Sequence, residues 1–190
     1  AKGRALRVDS KRTKAAGGEI SFTLPLDTFT DGGWYWCDLV AGEEGARLVS
    51  GSWEVNAEPV RPATLTIGIT TFNRPDYCAL TLMTLATASN LSETLKRVYV
   101  VDQGNQNVRD DELYPEAAEL LGDRLKMIYQ ANMGGSGGFS RGMYEAVKAD
   151  EAEFHLLLDD DVTVEPESIE RLAIFASMCR RRTIVGGQMF

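Results

Sequence analysis

Three consecutive aspartates, Asp159 to Asp161, close the apolar run FHLLL and are the residues in this chain best suited to chemistry. In an extended backbone alternate side chains share a face, so Asp159 and Asp161 are expected to point together and Asp160 away. Two convergent carboxylates suit a hard divalent cation such as Mg²⁺ or Mn²⁺, which keeps one or two carboxylates and completes its shell with phosphate oxygens. The plain alternative is a solvated acidic turn capping the next helix, where aspartate is also favoured. Adjacent acids repel one another without a cation, and that tilts the reading toward a metal.

Three further stretches are polar where an apolar run has just ended. TTFNR (70–74) presents Arg74, whose guanidinium could fork onto a phosphate or a uracil edge, and Pro75 suits the first turn of a helix. DQGN (102–105) offers Asp102 and Gln103, a carboxylate and an amide able to read a base or a ribose. NMGGSGGFSRG (132–142) is glycine-rich and precedes a helical pattern, so backbone N–H groups could approach an anion there, although a flexible connector has the same composition. Its spacing matches neither the dinucleotide nor the Walker fingerprint. His155, the sole histidine, lies within FHLLL and reads as a packed strand residue, so no Ser-His-Asp or Cys-His arrangement can be built. Arg74, Asp102-Gln103, a glycine-rich helix start and a paired-aspartate motif together describe a nucleotide-diphosphate site with a metal.

The elements that must position these residues are legible from residue 64 onward. TLTIGITT (64–71), KRVYVVD (96–102), LKMIYQ and FHLLLD are buried strands. Helical patterns lie between them: DYCALTLMTLATAS, a short piece near PEAAELLG, and a stretch from about Gly138 to Ala149; another, from about Pro166 to Arg181, follows the last strand. Strands buried on both faces and alternating with helices predict an α/β unit with a mostly parallel sheet and right-handed crossovers. In such sheets ligands sit beyond the carboxyl ends of the strands, and all four motifs fall there.

Before residue 57 the grammar differs. RALRVDS, GEISFTL, WYWCDLV and ARLVSGSWEV alternate at period two between turns such as TDGG and AGEEG, and predict a partial antiparallel β-sandwich over 1–57. Trp34 and Trp36 would share one strand face, more as core than as a sugar platform. Pro59 and Pro62 make 58–63 a linker, leaving 64–190 as the α/β unit.

Composition narrows the function classes. With 44% hydrophobic residues in 190, the chain can bury a core and is not disordered as a whole. Its 20 Lys and Arg against 28 Asp and Glu give a net charge of −8, which argues against general nucleic-acid binding. Cys37, Cys78 and Cys179 form no CxxC pair and read as reduced thiols in the cytoplasm. No run approaches a membrane span, and the chain begins without Met and ends on the apolar TIVGGQMF, which reads as a piece of a longer protein.

The runs TTFNRPDYC, VVDQGNQNVRD, QANMGGSGGFSRGMYEA and LLLDDDV resemble glycosyltransferase family 2 enzymes of the Rossmann-like GT-A fold, most closely actinobacterial galactofuranosyltransferases of cell-wall galactan synthesis. TDGGWYWCDLV and LVSGSWE are similar to the β-sandwich preceding the catalytic domain in the polymerising members. The resemblance implies inverting transfer of galactofuranose from UDP-galactofuranose to a lipid-linked galactan, with Mn²⁺ or Mg²⁺, at the inner face of the cell membrane. By matching motifs, Arg74, Gln103, Asn132 and Asp159 would hold the UDP-sugar, and Asp159 and Asp161 the metal, with Asp161 the more direct ligand. The general base of the family, and a further metal-binding histidine, would lie beyond Phe190, so these residues are expected to be the donor-binding half and inactive alone. Two other classes are compatible with parts of the pattern: a metal-dependent nucleotidyltransferase, disfavoured by the lack of a basic triphosphate grip, and a non-catalytic carbohydrate-binding protein using Trp34 and Trp36.

Overall fold

The computed structural model describes residues 6–13, 18–29 and 33–187. The chain divides into two units, Ala1–Trp53 and Glu54–Phe190.

In the first unit the described residues contain no strand and no helix, so the expected antiparallel sandwich is not seen. Trp34 is 87% exposed and Trp36 58%, and the two do not form the core expected of a same-face pair. The physical reason is that period-two alternation specifies only which side of a strand is apolar; the strand itself needs partners on its edges and a facing layer. Order here is local. The Phe29 and Tyr35 rings meet edge to face at 4.7 Å, and Gly45, with φ 78°, closes a turn by donating its N–H to the Gly42 carbonyl at 3.0 Å. Residues 30–32 of the expected TDGG turn lie outside the described residues.

The second unit is a four-stranded parallel sheet. Its elements run β1 (Leu65–Thr71), α1 (Pro75–Thr87), β2 (Leu95–Asp102), α2 (Tyr114–Leu121), β3 (Leu125–Tyr129), α3 (Gly134–Ala149), β4 (Phe154–Asp159) and α4 (Pro166–Met178). The strand order is β3-β2-β1-β4. β1 is buried along its whole length because it lies between two neighbours, pairing Ile67 with Val98 of β2 and with Leu156 of β4. Ile67, Ile69, Val98 and Val100 pack with Leu82 of α1, Leu121 of α2 and Ile169 of α4 on one face. Tyr99, Val101 and Ile128 face the other way, toward Ala146 of α3.

That layering follows from the connections. The chain steps outward from β1 to β3 with α1 and α2 on one face, then returns across the opposite face through α3 to place β4 on the free side of β1. The reversal leaves a crevice between the carboxyl ends of β1 and β4, the switch point at which open α/β sheets bind ligands.

Helix α3 begins at Gly134, one turn earlier than the pattern suggested, so GGSGG is the first turn of a helix and not a connector. At Gly138 the helix rests bare backbone on the sheet. A Cβ on Gly138 would meet the Thr70 side chain, and one on Gly142 would lie 3.6 Å from Gly68 Cα. Helix α4 stops at Met178, short of Arg181, and residues 183–187 form no strand. The proline-containing segment 58–63 is tied to the end of α4: Val60 and Arg61 donate backbone N–H groups to the Ser177 carbonyl at 2.8 and 3.3 Å, and the Arg61 guanidinium reaches the Cys179 carbonyl at 2.8 Å. No helix among the described residues is long and apolar enough to cross a membrane.

Candidate functional site

A cleft of about 340 Å³ opens at the switch point, within the size range of small-ligand sites. Each strand end contributes to its wall: Thr70 to Phe72 and Arg74 at the end of β1, Gln103 after β2, Asn132, Gly134 and Gly135 around the start of α3, and Asp159 with Asp160 at β4. Arg74, Gln103, Asn132 and Asp159, the residues that the sequence motifs single out, therefore share one cavity.

The aspartates converge, but not by strand alternation. β4 ends at Asp159, opposite Thr70, and the next two residues turn. Asp160 consequently stays on the cleft wall instead of pointing away, while Asp161 lies off the wall; the three carboxylates still bring oxygens within 4.8 Å of one another. Asp160 is half-buried, and its carboxyl is pushed up chiefly by that burial. The nearby Thr71 hydroxyl pulls it back, Asp161 and Asp159 push it further up, and Arg74 pulls it down. A cluster of oxygen donors carrying mutual repulsion is what a hard divalent ion would relieve.

The β1 end adds two hydroxyls that pattern reading missed. Thr70 is 8% and Thr71 2% exposed, and neither Oγ1 has a well-formed hydrogen bond. Buried polar atoms of this kind normally have partners, so both are ready to meet a polar ligand or water in the cleft. Arg74 immediately precedes α1, with Pro75 at its first turn, and its guanidinium lies 4.9 Å from the Tyr77 ring centre.

Gln103 is 5% exposed and its amide is engaged within the protein. Oε1 accepts from the Met133 N–H at 2.9 Å and from Gln130 Nε2 at 3.1 Å, and Nε2 donates to the Gly134 carbonyl at 3.1 Å. It therefore ties the β2 loop to the glycine loop while forming part of the wall. Asn132 Oδ1 accepts the Gly134 N–H at 2.9 Å, and Gly134 itself has φ 69°, a left-handed turn into α3 that glycine adopts without strain. Asp102 is 1% exposed, and its carboxylate accepts the N–H groups of Gly104 at 3.0 Å and Val108 at 3.1 Å. It organises the loop and is not on the cleft wall.

His155 is the packed strand residue its sequence context suggests: Nδ1 lies 2.8 Å from Thr66 Oγ1, and burial pulls its pKa down. Cys78 is fully buried, and its thiol is pushed up by burial and then by Asp160 and Asp102, which makes it a core residue and not a nucleophile. All three cysteines are free.

Residues 62–189 match the family described as glycosyltransferase like family 2. A galactofuranosyltransferase (GlfT2) of Mycobacterium tuberculosis is 38% identical over 200 residues, covering 96% of this chain and 31% of that protein. The corresponding galactofuranosyltransferase of Mycolicibacterium smegmatis is 37% identical with the same coverage. The chain thus spans about a third of the length of these relatives. The family match runs from the strand that floors the cleft to the helix beyond the aspartates, taking in every wall residue named above, and the chain belongs to glycosyltransferase family 2.

Proposed function

We propose that the α/β unit is the donor site of an inverting galactofuranosyltransferase, which takes galactofuranose from UDP-galactofuranose and passes it to a lipid-linked galactan at the cytoplasmic face of the membrane. The observation that carries this reading is the convergence of Arg74, Gln103, Asn132, Asp159 and Asp160 on one switch-point cleft, with Asp161 beside it. The names of the relatives, both galactofuranosyltransferases, support the sugar. The acidic cluster fits Mn²⁺ or Mg²⁺: Asp159 and Asp161 would hold the ion, and Asp160 contributes an adjacent carboxylate. Such an ion supplies charge neutralisation for the departing diphosphate.

The protein's own groups do the rest. Arg74 is a planar, permanently charged fork suited to a phosphate or a uracil edge. Thr70 and Thr71 bring hydroxyls without a well-formed hydrogen bond, that of Thr71 lying near the Asp160 carboxyl. Gln103 and Asn132 fix the entry to α3, which holds Gly134 and Gly135 of its first turn on the cleft wall.

Titration calorimetry with UDP tests the reading. Binding should require Mn²⁺ or Mg²⁺ and be lost in Asp161→Ala. UDP binding unchanged by chelation and by that substitution would discard it, as would galactan binding that needs no metal and disappears in Trp34→Ala.

A further inference from the structure

Asn73, the residue before Arg74, has left-handed backbone with φ 55°. Its Oδ1 accepts the N–H of Asn105 at 2.8 Å and that of Gln106 at 3.1 Å. One side-chain oxygen thus fastens the loop after β1 to the loop after β2. Gly104 lies against it: a Cβ there would stand 2.5 Å from Asn73 Oδ1 and 2.7 Å from Asn73 N. Because one of those neighbours is backbone, no side-chain rotation could make room. A second suture runs alongside, from the Gln103 N–H to the Thr71 carbonyl at 3.0 Å. On its other side Arg74 adjoins Pro75, whose ring fixes φ near −65°. The backbone of Arg74 is therefore held at both ends, while its guanidinium enters none of the ion pairs among the described residues.

We propose that Asn73 is a positioning residue for donor recognition: by locking the β1 and β2 loops together, its side-chain oxygen aims the Arg74 guanidinium at the anionic part of the donor. This rests on the reading of the cleft as a nucleoside-diphosphate site. The argument is geometric. A guanidinium recognises an anion through two parallel N–H bonds, and that fork tolerates little displacement of its anchor. Asn73 is also the residue type that adopts the required left-handed backbone most readily after glycine.

A double-mutant cycle on UDP affinity, with Mn²⁺ and the full chain, tests it. Asn73→Gly removes the oxygen without adding backbone strain, and Gly104→Ala forces the loops apart from the opposite side. Arg74→Ala should weaken UDP by about tenfold or more. Asn73→Gly should weaken it by about threefold to tenfold in the parent and by nothing further in Arg74→Ala. Gly104→Ala should behave in the same way. Circular dichroism of each variant guards against unfolding, and either substitution suffices if the other fails to fold. Losses that simply add in the Arg74→Ala background, or parental affinity in Asn73→Gly, overturn the positioning role alone. UDP affinity indifferent to Arg74→Ala overturns both this role and the donor reading.

Discussion

Gly138 and Gly142 stand one turn apart on the face of α3 that rests on β1, and the same methyl added to each should have opposite effects. A Cβ on Gly138 would lie 2.7 Å from Thr70 Oγ1, 3.0 Å from Thr70 Cβ, and closer still to Thr70 Cγ2. Carbon contacts prefer about 3.5–4.0 Å, so the helix must lift by roughly an ångström or the threonine must turn. Thr70 is buried and β-branched, which leaves it few other rotamers. Overpacking of this kind costs about 1–3 kcal/mol, against about 0.5–1 kcal/mol that alanine returns over glycine in a helix. Gly138→Ala should therefore destabilise the protein by about 1–2 kcal/mol. At Gly142 the added carbon would find Gly68 Cα at 3.6 Å and His155 Nε2 at 3.8 Å, ordinary contact distances. There the helix gain stands alone, and Gly142→Ala should stabilise by about 0.5–1 kcal/mol. Urea denaturation followed by circular dichroism resolves a gap of that size. Because Thr70 and Gly134 both line the cleft, Gly138→Ala should also weaken UDP binding, and Gly142→Ala should leave it alone. Equal stability in the two variants would refute the claim that α3 is seated by bare backbone at Gly138.

Two pH effects follow from the charged groups. Asp160 is held above the ordinary carboxylate range, so the folded state keeps its proton longer than the unfolded chain; without divalent ions, stability should fall as pH rises through that window. Asp160→Asn should flatten the slope in denaturation curves collected from about pH 4 to pH 7, and an unchanged slope counts against the burial of this carboxyl. Glu145 is the opposite case. It is buried between Lys126 at 3.1 Å and Arg141 at 3.0 Å, and Lys126 above all lowers its carboxyl. Its contribution is present above the ordinary range and lost as pH falls through the lowered value. Glu145→Gln should thus be less stable than the parent near neutrality and equal to it in acid, and a deficit that persists in acid would locate the effect in packing instead.

The α/β unit was legible because its signals are local. β1 and β2 are apolar runs, Pro75 and Pro166 mark helix starts, and each strand ends on a change to polar residues. The shared cleft followed from topology, since parallel strands deliver all their carboxyl ends to one edge. What escaped depended on contacts distant in sequence. The first turn of α3 is rich in glycine, which by propensity argues against a helix; the left-handed φ of Gly134 and the closeness of Thr70 to Gly138 account for two of them only once the fold is seen. Asp160 was misplaced because alternation was carried past the last strand residue. Asn73 could have been suspected from its type, an asparagine in front of Arg-Pro, but its partners lie in another loop. In the first unit alternation was real, yet a strand is a relation between segments and cannot be read from one segment alone.

The central place of β1 also sets a timetable for solvent. Its amides are bonded to two flanking strands and covered on both faces, so in deuterium they should be among the last to exchange. Phe72 and Arg74, immediately after it, are solvent-exposed and should exchange among the first. Slow and fast exchange thus meet within a few residues at the cleft, because an amide open to water at Phe72 or Arg74 can exchange without any loosening of the Asn73 tie that holds the loop in place.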